Sequence, residues 1–133
     1  MPTRSRPEPP PAADLPSLTL ALGTVTRDPE RRTLPSGAVV LSFDLAVRAE
    51  GCAGESVPVS WPDPPARVAL TEGDEVVVLG RTRRRFFRSG GATASRTEIV
   101  ADRVVPRRRR VRWAAAFDEA ADRLASIADP VTR

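Results

Sequence analysis

Apolar and polar residues begin to alternate at Ser17. Leu18, Leu20 and Leu22 point one way while Thr19, Ala21 and Gly23 point the other, a period of two that predicts a first strand. Asp28-Pro29-Glu30 and Pro35-Ser36-Gly37 are turn signals. Beyond them Val39, Leu41, Phe43, Leu45 and Val47 alternate with Val40, Ser42, Asp44, Ala46 and Arg48, the clearest strand pattern of the chain. A loop over residues 49–54 leads to a short strand around Val57–Trp61, where Pro58, lacking an N–H, must sit at an edge or bulge. The segment Asp63–Leu70 opens with Pro64-Pro65, and because prolines are tolerated in a first helical turn it predicts a brief helix carrying Val68 and Leu70 inward. After the turn at Thr71-Glu72-Gly73-Asp74, Glu75–Phe87 reads as a long strand: Val76–Leu79, rich in β-branched residues, reads as buried, and an arginine-rich extension follows. Ser89-Gly90-Gly91 closes a hairpin onto a last strand, Arg96–Val105.

These elements set the domain organisation. Five short strands with one small helix between the third and fourth predict an all-β fold in the order of an oligonucleotide-binding (OB) Greek-key barrel over residues 17–106, although the pattern alone also admits another five-stranded barrel. Residues 1–16 contain six prolines and bury too little apolar surface to offset the entropy of ordering, so they read as a disordered lead, with neither signal-peptide nor membrane-anchor character. Past Pro106 and Arg107–Arg110, residues 112–128 space Trp113, Phe117, Ala120, Ala121, Leu124, Ile127 and Ala128 by three and four, an amphipathic helix that Pro130 ends. Its simplest expected role is to cover an open barrel edge.

Charge changes this picture more than composition does. The net charge is +4, and all 21 basic residues are arginine. Residues 81–112 hold twelve Arg against Glu98 and Asp102, a net of +10, while residues 1–80 sum to −4 and residues 113–133 to −2. A GC-rich coding bias accounts for the missing lysines but not for the clustering. Guanidinium groups bind phosphate bidentately and stack on bases, so a concentrated arginine patch points to a polyanion. Cys52 is alone and there is no His, which removes the intramolecular disulfide, the commonest metal ligand and the commonest general base. With no phosphate loop, metal-ligand spacing or nucleophile–base pair either, the sequence predicts a non-enzymatic cytoplasmic protein without a cofactor and with no membrane partner.

Two ordered blocks carry a family resemblance. Gly23-Thr24-Val25-Thr26-Arg27-Asp28-Pro29-Glu30, then Pro35-Ser36-Gly37 and Phe43-Asp44-Leu45-Ala46-Val47, resembles the opening of the bacterial single-stranded DNA-binding proteins. Glu72-Gly73-Asp74 before Val76–Val78, then Gly80-Arg81-Thr82-Arg83 and Thr97-Glu98-Ile99-Val100-Ala101, resembles that family's last hairpin. The resemblance implies a nucleoid-associated homo-oligomer, dimer or tetramer, that coats single strands in replication, recombination or repair by stacking bases on aromatics and holding phosphates with basic side chains. Replicative members end in a long glycine- and proline-rich tail with an acidic, hydrophobic tip. Here the helix and Asp129-Pro130-Val131-Thr132-Arg133 stand in that place, which implies an accessory paralogue that leans on charge.

The candidate nucleic-acid ligands follow. By the resemblance, Trp61 lies near a strand that carries stacking aromatics; its alternative is a core or lid tryptophan. Phe87 falls where the family has an aromatic at the end of the fourth strand, and an aromatic among Arg83, Arg84, Arg85 and Arg88 fits a core poorly. Phe86 must face away from Phe87 in a strand, so one of the pair is expected to stack and the other to pack. Arg27, Arg31, Arg32, Arg48, Arg81, Arg83, Arg85 and Arg88 are candidate phosphate contacts, each also readable as a solvated surface charge. Arg107–Arg110 could extend the track or serve as a linker. Phe43 reads as core, and Gly37 and Gly80 as backbone devices for a turn and a bend. Two other readings keep the fold: RNA bound on the same surface, and a protein-interaction module docking a partner through helix 112–128.

Overall fold

The computed structural model describes residues 17–48 and 54–128. The expected lead over residues 1–16, most of the 49–54 loop and the last five residues lie outside them. Six strands, β1 (Thr19–Val25), β2 (Glu30–Thr33), β3 (Val39–Val47), β4 (Glu55–Pro62), β5 (Glu75–Ser89) and β6 (Ala92–Pro106), precede a helix, α1 (Arg110–Ala128). No helix among the described residues is long and apolar enough to cross a membrane.

The strands β1, β5, β6, β4 and β3 pair in that order, and the circuit closes through Thr24↔Ala46 and Val25↔Leu45 between β1 and β3. All pairs are antiparallel except β4 with β6, which run parallel at Val59↔Ile99 and Ser60↔Val100. This is a five-stranded OB barrel. β2 continues the β1 seam, pairing Glu30–Thr33 with Val39–Ser42.

The alternation read from β3 is observed: Leu41, Phe43 and Leu45 enter the barrel with Val25, Val59, Trp61, Val76, Val78, Ile99, Ala101 and Val104, and Ser42 and Asp44 face out. The uniform apolar run of β5 has a different cause on each face. Val76 and Val78 fill the barrel, whereas Val77 and Leu79 lie under α1 with Val105, Ala116 and Ala120. The small side chains of Ala116 and Ala120 let the helix approach the sheet, flanked by Leu18 and by Trp113 and Phe117, whose rings lie 5.3 Å apart. The helix therefore caps a sheet face, not an open edge.

A register shift strengthens that dock. Leu79 faces Arg103 but Gly80 faces Ala101, leaving Asp102 as an extra residue in β6. Consecutive residues thus both reach α1: Asp102 takes two hydrogen bonds of 3.0 Å from Arg123, and Arg103 donates to Glu119. Asp102, with Glu119 beside it, raises the Arg123 pKa above its usual value.

Two further expectations are corrected. Residues 63–70 form no helix: Asp63 turns the chain at φ 51°, and the residue before a proline is disfavoured in the α region, so the segment crosses irregularly while still delivering Val68 and Leu70 to the core. Residues 30–33, expected within the turns, form β2; Glu30-Arg31-Arg32-Thr33 is exposed throughout and is held by backbone pairing alone, which leaves no hydrophobic signal.

Candidate nucleic-acid interface

Beyond Thr82 and Ile99, the last pair whose β6 residue still bonds β4, the two strands leave the barrel as a paired arm, in register from Arg83↔Glu98 to Ser89↔Ala92. The barrel ends there because no apolar residue follows Gly80 on β5 until Phe86. Gly90 and Gly91 turn the arm at φ 59° and 83°, a two-residue reversal whose positive φ values only glycine adopts freely. Strand alternation then divides the arm. Arg83, Arg85 and Phe87 share one face with their partners Glu98, Arg96 and Ala94, while Arg84, Phe86 and Arg88 share the other with Thr97, Ser95 and Thr93.

The Phe87 face curls over the outer side of β3 and β4, enclosing a groove of about 410 Å³. Ser42, Asp44, Pro58 and Ser60 line its barrel side, Arg85, Phe87, Arg96 and Glu98 its arm side, and Arg27, Asp28, Glu30 and Arg32 one end. Phe87 is 42% exposed. Glu98 is only 4% exposed and is held by Arg83 at 2.9 Å and Arg85 at 3.6 Å. Arg27 pairs with Asp44 at 3.1 Å, and Asp28 accepts the Glu72 backbone N–H at 2.8 Å. Four arginines meet four carboxylates in the lining, so their charges cancel. Attraction to a polyanion here depends on arginines changing partner, since no uniform positive field is present.

Residues 17–106 match the Single-strand binding protein family. The chain belongs to that family. No curated protein matches it.

Set on this single-strand binding barrel, the sequence candidates separate. Phe87, Arg27, Arg32 and Arg85 meet in the groove, and Arg83 is tied to it through Glu98. Arg31, Arg48, Arg81 and Arg88 are exposed outside the groove lining. Trp61 is corrected: at 6% exposure it belongs to the barrel core, because β4 alternation sends it inward with Val59 and turns Ser60 out, so it has no face on which a base could lie. The expectation that one of the phenylalanine pair packs is also corrected, for Phe86 is 66% exposed on the far side of the arm. The Arg107–Arg110 tract is partly spent on the barrel: Arg107 binds Glu75 at 2.9 Å, and Arg108 binds Asp74 and the Ala69 carbonyl.

Ser42, Asp44, Ser60, Arg96 and Glu98 escaped sequence reading as site residues. Arg96 and Glu98 carried a usable signal, since the Gly90-Gly91 turn places them opposite Arg85 and Arg83. The β3 and β4 residues carried none, because only barrel closure brings them under the arm.

Proposed function

We propose that the chain binds single-stranded DNA in this groove, with a base stacked on Phe87 and phosphates taken up by Arg27, Arg32, Arg85 and Arg96, and that it protects exposed strands during replication, recombination or repair. The observation that supports this most is a half-exposed aromatic ringed by arginines on the outer face of a single-strand binding family barrel. Arg85 and Arg27 would leave Glu98 and Asp44 for phosphate oxygens, an exchange of one charge-assisted bond for another. Ser42 and Ser60 can each donate or accept, so the floor tolerates any base, and stacking likewise ignores sequence. The role is binding without catalysis. Self-association fits β1, whose Leu20 and Leu22 are 43% and 48% exposed and whose edge away from β5 pairs with β3 only at Thr24 and Val25. A protein-docking role for α1 has less support, because its Ala116–Ala120 stripe already lies on the sheet.

Phe87→Ala, titrated with labelled oligo(dT) and oligo(U) at two salt concentrations, tests the proposal. One lost stack of about 1–3 kcal/mol lowers affinity by about 5- to 150-fold. Undiminished binding by the variant would remove the groove from consideration, and equal loss on both polymers would leave the 2′-hydroxyl unread.

A further inference from the structure

The reverse face of the arm repeats the arginines and phenylalanine of the groove face but lacks its carboxylate. Arg84, Phe86 and Arg88 occupy alternate positions on β5 and project together, facing Thr97, Ser95 and Thr93 on β6. Phe86 is 66% exposed, the most exposed aromatic among the described residues. Neither Arg84 nor Arg88 is paired with a carboxylate among the described residues, whereas Arg83 and Arg85 on the groove side both contact Glu98. An apolar ring left in water between two uncompensated guanidinium groups is costly to a monomer and complementary to one kind of ligand, a polymer that alternates aromatic faces with negative charges.

From this we infer a second nucleic-acid contact on the reverse face of the arm, with a base stacked on Phe86 and phosphates on Arg84 and Arg88. It rests on the groove reading above and extends it. The two faces are back to back on one ribbon only two strands wide, and the ribbon ends at Gly90-Gly91, where no bulky side chain blocks passage. A single strand lying in the groove continues over the arm and returns along its other side, so the arm is gripped on both faces. Binding then depends on length: a strand short enough for the groove never reaches Phe86.

The test is the triple variant Arg84→Ala/Phe86→Ala/Arg88→Ala beside Phe87→Ala, each titrated with labelled oligo(dT) of about 8 and about 30 nucleotides, below and above the upper site size of roughly 16 for one OB fold. Circular dichroism and sedimentation velocity accompany each titration. For the triple variant, affinity for the short strand stays within about twofold of wild type, affinity for the long strand falls about 5-fold or more, and the magnitude of the long-strand salt slope falls by about 1.4, or about 0.7 per lost phosphate contact. Wild-type affinity for the long strand overturns the inference, as does an equal loss at both lengths. A changed sedimentation coefficient with unchanged DNA binding also overturns it, by assigning the face to contacts between copies of the chain. Failure of the groove reading is seen separately, as undiminished short-strand binding by Phe87→Ala.

Discussion

Glu98→Gln is the sharpest test of how the groove works, because Glu98 sits where a competitor of the DNA would sit. Gln keeps the shape and can still accept a hydrogen bond from Arg83, now at 2.9 Å, but removes the charge that draws Arg85 to 3.6 Å. Glu98 is buried, but the side chains of Arg83 and Arg85 are 43% and 57% exposed and rehydrate readily, and a neutral amide is cheaper to bury than a carboxylate, so the stability cost is the loss of a charge-assisted bond, about 1–2 kcal/mol. Binding responds in the other direction. With Arg85 between them, a phosphate about 3 Å beyond the guanidinium lies roughly 6–7 Å from the carboxylate. That repulsion is about 0.6 kcal/mol in a water-like medium and about 2.5 kcal/mol at an effective dielectric constant near 20. The variant should therefore bind oligo(dT) about 3-fold more tightly, and at most about 75-fold. Anisotropy titrations at about 20 and 200 mM salt, with urea unfolding alongside, measure both quantities, and the gain should shrink at the higher salt, where the screening length falls to about this separation. Weaker binding at an unchanged unfolding midpoint would refute the competition and make Glu98 a positioner of Arg83 and Arg85.

Three further outcomes concern the frame around the groove. A Cβ at Gly80 would lie 2.0 Å from the Val100 carbonyl oxygen and 2.8 Å from the Ala101 Cα, so Gly80→Ala forces β5 and β6 apart at the root of the arm and should cost a few kcal/mol of a total near 5–15; an unchanged urea midpoint would contradict that close approach. Trp61→Ala should lose about 3–5 kcal/mol of stability with oligo(dT) affinity of the folded protein within about twofold of wild type, and an affinity loss at full stability would return Trp61 to the interface. Trp113→Ala should lower the thermal midpoint by uncovering Val77, Leu79 and Val105 while the groove binds as before, and an unshifted midpoint would mean that α1 does not hold that face.

The sequence by itself determined the barrel strands, the closing turns and the location of the arginines. Alternation in Leu41, Phe43 and Leu45 suffices because a strand between core and solvent must repeat every two residues, and Gly90-Gly91 suffices because the two-residue hairpin turns that match strand twist need positive φ at one or both positions, which glycine supplies freely. It was silent on β2, whose four exposed residues are held by backbone groups alone, and misleading at residues 63–70, where buried Leu70 sits on irregular chain. Only tertiary structure decided which aromatics meet solvent. Trp61 and Phe87 look alike in one dimension, yet the barrel closes over one and the arm carries the other beyond it. Tertiary structure also decided the meaning of the arginine cluster. Register placed Glu98 between Arg83 and Arg85 and left Arg84 and Arg88 uncompensated one residue away, because in a strand neighbouring residues face opposite sides and charge is balanced only across space.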